Sequence, residues 1–409
     1  MNLRTLWRNC GPGLVVAATG LGAGDIVAAA VAGAEYGPML IWAAVVGGVL
    51  KFCLNEGVGR WQLVTGTTLI EGWINHLPRF VSIYFFFYLL LWSFMVAAAL
   101  MAACGLAAYA LVPGLSVTSW GILHGLVGLL MVLFGSWSLV ERMMKFFIAL
   151  MFATVLYSAF RILLREPELF VQALQPGLPA GSLGSVLAIV GGVGGSVTLL
   201  SYGYWIREAG WKGRDKLSMM HWDLGVAYGL TALFAIAVML VAAGVRPEVV
   251  SGNGMALSLA ERLVPYSGEL GKWLFLIGFW GAVFSSLLGV WHGVPYMFTN
   301  FVAHYRNRRS VLESDTSIMH STHYRAYLCA MCFLPMLLLI FGRPVWIVQL
   351  YAITGSLFMP LLAMLLLLLN APQRWLAEHR NRLAMNVALV CCLLFFGYLL
   401  ITQPFNGPG

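Results

Sequence analysis

Three alternate glycines followed by a carboxylate, Gly20-Leu21-Gly22-Ala23-Gly24-Asp25, interrupt the first long apolar segment of this chain. Glycines at alternate positions weaken a helix, and an aspartate at bilayer depth is costly without a cation, a partner or water. A second interruption, Gly191-Gly192-Val193-Gly194-Gly195, falls in the sixth apolar segment. Paired glycine breaks in corresponding segments point to a transporter site made of unwound backbone. Asp25, beside Gly24 and the free carbonyls of Gly20 and Gly22, suits a hard cation held through oxygen. Gly194 and Gly195 line the facing break, and Thr198 and Ser201 add hydroxyls from the sixth segment. Without sulfur or imidazole the set favours Mg²⁺, Mn²⁺ or Na⁺ over softer metals, with Asp25 and Thr198 as the metal-contacting side chains. Asp25 also reads as a cap on the second half of the broken helix, and the two roles are compatible.

Other charged groups sit within or beside apolar segments. Lys51, Asn55, Glu56 and Arg60 run along the second, Glu56 and Arg60 as an i,i+4 pair. They read as a latch closing one end of the molecule, with an ion or proton route as the alternative. Glu141 and Lys145 repeat the i,i+4 spacing where the fifth segment begins. Asp223, with His221, opens the seventh, where it caps its own helix or binds the Arg207–Glu208 region. His292 lies deep in the eighth and is placed to carry protons or to bond a neighbouring helix; His124, in the fourth, reads more simply as a packing residue. The pair Cys329 and Cys332 has no second pair for a metal and reads as buried packing.

These residues need a membrane scaffold to position them. The chain has 409 residues, 60% of them hydrophobic and 10% charged, against about 25% charge in soluble domains. Segments of roughly 20 apolar residues, long enough to span, fall at 13–36, 38–62, 80–111, 117–135, 141–163, 183–207, 218–245, 271–300, 323–342, 344–369 and 383–402. Residues 247–265 read as an outer loop with a short surface helix. Lys and Arg gather on one side when the N-terminus is placed inside, which puts the C-terminus outside. That asymmetry accounts for the net charge of +8 without nucleic acid. Arg306-Asn307-Arg308-Arg309 and Arg325 face anionic lipid on that reading. The compact chain suits a bacterial inner (plasma) membrane. The expected architecture is one all-α transmembrane domain: a five-helix repeat over 1–163, a second, inverted one over 183–369, and an eleventh helix at 383–402. Helices 1 and 6 are broken. No enzyme or ATPase motif is present, and no cofactor is expected.

The first segment resembles that of the Nramp family of divalent-metal transporters. Gly11-Pro12 and then Ala32-Gly33-Ala34-Glu35-Tyr36-Gly37 align with its first helix without a gap, and Leu139-Val140-Glu141-Arg142 and Asp223 match later helices. The resemblance implies a LeuT-type fold with substrate between helices 1 and 6. The member is a divergent one. Where the family has Asp-Pro-Gly-Asn this chain has Gly22-Ala23-Gly24-Asp25, and Thr198, Leu199 and Leu200 stand where it has Met-Pro-His. Trp205 replaces a second histidine, and the third segment lacks the family's proton-path acid. The expectation is a secondary transporter moving a divalent cation by alternating access through an altered, oxygen-rich site, with protons carried by other residues if at all. Two alternatives stay open: a small organic cation paired with Asp25 among Tyr202, Tyr204 and Trp205, or a membrane sensor that no longer transports.

Overall fold

The computed structural model describes residues 11–20, 23–135, 137–192, 195–246, 255–305, 318–341, 347, 351, 354, 355 and 357–402. Gly22, Val193, Gly194 and the basic run 306–309 lie outside the described residues. So do the side chains of Asp25 and Glu141. The described residues are all helix, turn and loop, with no strand among them.

The first segment is two helices, α1 (Pro12–Gly20) and α2 (Ala23–Tyr36). Proline at the opening position of α1 lacks only an N–H that would have been free anyway. A 3₁₀ turn, Gly37–Leu40, leads to α3 (Ile41–Thr65), which Gly66 ends in the left-handed conformation. The short α4 (Leu69–His76) begins with a reciprocal cap: the Thr68 hydroxyl accepts from the Glu71 N–H, and the Glu71 carboxylate accepts from that of Thr68. Then come α5 (Arg79–Leu111), α6 (Val117–Phe134), α7 (Trp137–Arg165) and the short α8 (Glu168–Ala173).

The sixth segment is interrupted as expected. The helix α9 (Leu183–Gly192) stops, the chain re-forms as a 3₁₀ turn at Val197–Leu200, and α10 (Ser201–Glu208) continues from it. Beyond lie α11 (Leu217–Val245), α12 (Met255–Tyr305), α13 (Thr322–Phe341), α14 (Phe358–Asn370) and α15 (Leu383–Thr402). The surface helix expected before the eighth span is the start of α12 itself, set off by a non-helical Gly268. Among the described residues seven helices are long and apolar enough to cross a membrane alone, and the bent pair Phe358–Asn370 and Gln373–His379 adds an eighth. The difference from eleven lies in the segments made of pieces: the halves of the first and sixth, the tenth (described continuously only from 357), and the last, a shorter apolar helix.

Close packing rests on small residues, which let membrane helices approach. A Cβ on Gly33 would come within 2.3 Å of the Met239 carbonyl oxygen, so α2 and α11 touch backbone to backbone. Likewise α12 meets α1, with Gly289 against Thr19. The result is a set of close neighbours around the breaks: α2 on α11 and α9, α1 on α11 and α12, and α3 on α9, α10 and α11.

Candidate functional site

The two interruptions meet. Gly195 has φ +86°, a left-handed conformation open to glycine, and a Cβ there would lie 3.5 Å from Gly20 Cα and 2.6 Å from Thr198 Oγ1. Gly20, Gly195 and Thr198 therefore share one place, where α1 stops and the sixth segment unwinds. The next residue, Ser196, accepts a hydrogen bond from Trp92 Nε1 of α5 at 3.0 Å and packs on Gly355. Lys51 of α3 reaches the same break. Its Nζ donates to the carbonyls of Gly191, at 3.0 Å, and Gly195, and the residue is fully buried.

Sequence spacing groups Lys51 with Glu56 and Arg60, and the structure separates them. Five residues along an α-helix turn the side chain by roughly 140°, so Lys51 faces the break and Glu56 faces elsewhere. Glu56, also 0% exposed, takes Arg60 Nε at 2.9 Å and lies 2.9 Å from His221 Nε2 of α11. Arg60 in turn donates to the carbonyls of His379 and Arg380. These contacts tie α3, α11 and the chain before α15 at one end of the molecule. Between the two groups, Asn55 donates to the Tyr228 hydroxyl at 2.9 Å.

Ser201 and His292 lie below the break. Ser201 Oγ faces Gly293 of α12, at 2.8 Å from where a Cβ would stand. His292, 4% exposed, brings Nε2 to 3.7 Å from Glu208 Oε1 at the end of α10. His124 is satisfied between helices: its ring bonds the Trp120 carbonyl at 2.7 Å and accepts from Trp280 Nε1 at 2.7 Å.

Asp223 plays neither part expected of it. It lies in the second turn of α11, past the capping position, and its Oδ2 accepts the Gly13 N–H at 2.7 Å and the Tyr202 hydroxyl at 3.0 Å. One buried carboxylate thus caps α1 and holds α10. Arg207 goes instead to Glu71, at 3.4 Å. Around Glu71 gather Asn300, at 3.3 Å, and His304, at 3.7 Å, with Tyr204 bonded to Asn300 at 3.0 Å. This group was missed in the sequence, although Thr68-x-x-Glu71 and an asparagine within an apolar span were its visible signals. Tyr202 and Tyr204 are thus hydrogen-bonded to protein through their hydroxyls, and both rings are buried.

Two interrupted helices that meet at their breaks, among long apolar helices, define an integral membrane transporter of the LeuT type. A family model described as natural resistance-associated macrophage protein-like (Nramp) matches residues 13–403, and the chain belongs to that family. Solved structures agree on the fold. The manganese transporter of Eremococcus coleocola, in the crystal structure of a mutant, is 13% identical with a TM-score of 0.77, over 98% of this chain and 90% of that one. MhsT in complex with L-phenylalanine gives 15% identity and 0.65 over 95% and 97%. The nucleobase-cation-symport-1 transporter Mhp1 gives 14% and 0.55 over 96% and 93%. At such identities the likeness is one of fold. No curated protein matches the chain by sequence.

Proposed function

We propose that this protein is a secondary transporter of a divalent metal cation, Mn²⁺ or Mg²⁺ in preference to softer metals, working by alternating access. The observation that carries the reading is the meeting of the two breaks, with Gly195 packed on both Gly20 and the Thr198 hydroxyl. Family membership supports it, as does the likeness in fold to a manganese transporter. Asp25, at the start of α2, is the charged ligand, and Thr198 a second oxygen donor. With carboxylate, hydroxyl and carbonyl oxygens as donors, hard ions are preferred. Residues 1–163 and 183–369 act as the two repeats, helix 383–402 is appended, the N-terminus is cytoplasmic and the C-terminus extracytoplasmic in a bacterial inner membrane.

Proton movement, on this reading, passes through Glu208 and His292, a carboxylate and an imidazole 3.7 Å apart below the break. Neither lies in the third span, where the family keeps its acid. Uptake into proteoliposomes of Mn²⁺, Mg²⁺ and Ca²⁺, wild type against Asp25→Ala, tests the whole. Saturable flux reduced at least tenfold in the variant is expected. Absence of flux for every divalent ion in the wild type overturns the proposal.

A further inference from the structure

Lysines in membrane helices ordinarily stretch to the interface, stem in hydrocarbon and ammonium in water. Lys51 does not. It stands in the middle of the 25-residue α3, is 0% exposed, and ends on the carbonyls of Gly191 and Gly195. Those are acceptors released by the interruption. In a continuous helix the Gly191 carbonyl would receive the N–H of residue 195, but the chain has left the helix by then. The end of α9 also carries the negative pole of its dipole, and a buried carbonyl without a donor is costly. Such a mouth attracts a small cation, and the positive φ at Gly195 is part of the turn that forms it.

We propose that the Lys51 ammonium is a tethered cation that fills a monovalent-ion position in the break of the sixth helix. The protein's own charge then ties the end of α9 to Gly195, and no small cation from solution is needed there. For the transported ion, a point that rests on the reading under Proposed function, one lone pair of the Gly195 carbonyl is occupied and an ammonium group stands beside the site. Lys51 is on this account a positioning and selectivity residue, not a gate.

The test is the melting temperature of the purified full-length protein in detergent, at constant ionic strength. Chloride salts of Na⁺, Li⁺ and methylammonium are compared with that of N-methylglucamine, which is too large for the position. Wild type is expected to melt alike in all four. Lys51→Ala, which empties the position, is expected to lose several degrees in N-methylglucamine and to regain at least half with a small cation, saturably. Lys51→Met, which fills the space without charge, should lose as much and regain nothing. Wild type that gains stability saturably from Na⁺ or Li⁺ overturns the proposal, as does Lys51→Met melting like wild type or Lys51→Ala showing no preference among cations. If Lys51→Ala is recovered folded only when a small cation is present, that supports it; failure in every cation counts against it. Melting does not depend on flux, so a wild type that moves no divalent ion would remove the transport reading and leave this result standing.

Discussion

At Asp223 one side chain serves two elements, and its removal should be felt in both. Asp223→Ala leaves the Gly13 N–H and the Tyr202 hydroxyl without their acceptor in a buried place. Leaving a buried donor without its acceptor costs about 1–3 kcal/mol, so the variant should melt earlier than wild type in detergent. Tyr202→Phe should lose less, since it removes one donor and leaves the cap on α1. A variant as stable as wild type would mean that the carboxylate is dispensable. None of this was legible in the sequence. A carboxylate near the start of an apolar segment is visible there, but its partner is 210 positions away, and no local rule reaches that far. Asp25, whose side chain lies outside the described residues, is conspicuous by type and depth alone, because charge inside an apolar run has few cheap explanations. Lys51 was equally conspicuous, and the spacing put it with the wrong neighbours.

Among the elements, the contact of α2 with α11 is the tightest test of packing. Gly33→Ala would set a methyl group 2.3 Å from a backbone oxygen, which no rotamer change relieves. Overpacking of this kind costs about 1–3 kcal/mol, and a lower melting temperature with separated helices is the expected result. Unchanged melting would mean that the two helices shift apart at no cost. Helix existence was readable throughout, because apolar runs near 20 residues have one explanation in a lipid solvent. The breaks were readable too, from their glycines. Helix ends were less so: α7 starts at Trp137, α12 continues to Tyr305 and the surface helix is fused to it, and apolar length encodes none of these. The reciprocal cap on α4 was written in Thr68-x-x-Glu71 and passed unnoticed beside the louder signals of the spans.

For the molecule as a whole, a membrane transporter followed from composition and two glycine clusters, its LeuT-type fold followed from the resemblance to the Nramp family, and the family match agrees. The polar joints between elements did not follow, since each is assembled from residues far apart in sequence: Glu71 with Arg207, Asn300 and His304, or Glu56 with His221. Proton coupling is a property of this larger scale. If Glu208 and His292 carry it, Glu208→Gln and His292→Asn should each abolish the internal pH change that accompanies metal uptake in proteoliposomes. Persistence of that change in both variants would assign the protons to another route. The Asp223 clamp has one more consequence. Any motion that draws α1 or α10 away from α11 strips a buried carboxylate of the Gly13 or the Tyr202 donor, and water is the ready replacement. Under the proposed alternating access, opening is then a hydration event as much as a rocking of helices, and its rate is expected to follow the activity of water rather than stiffness alone.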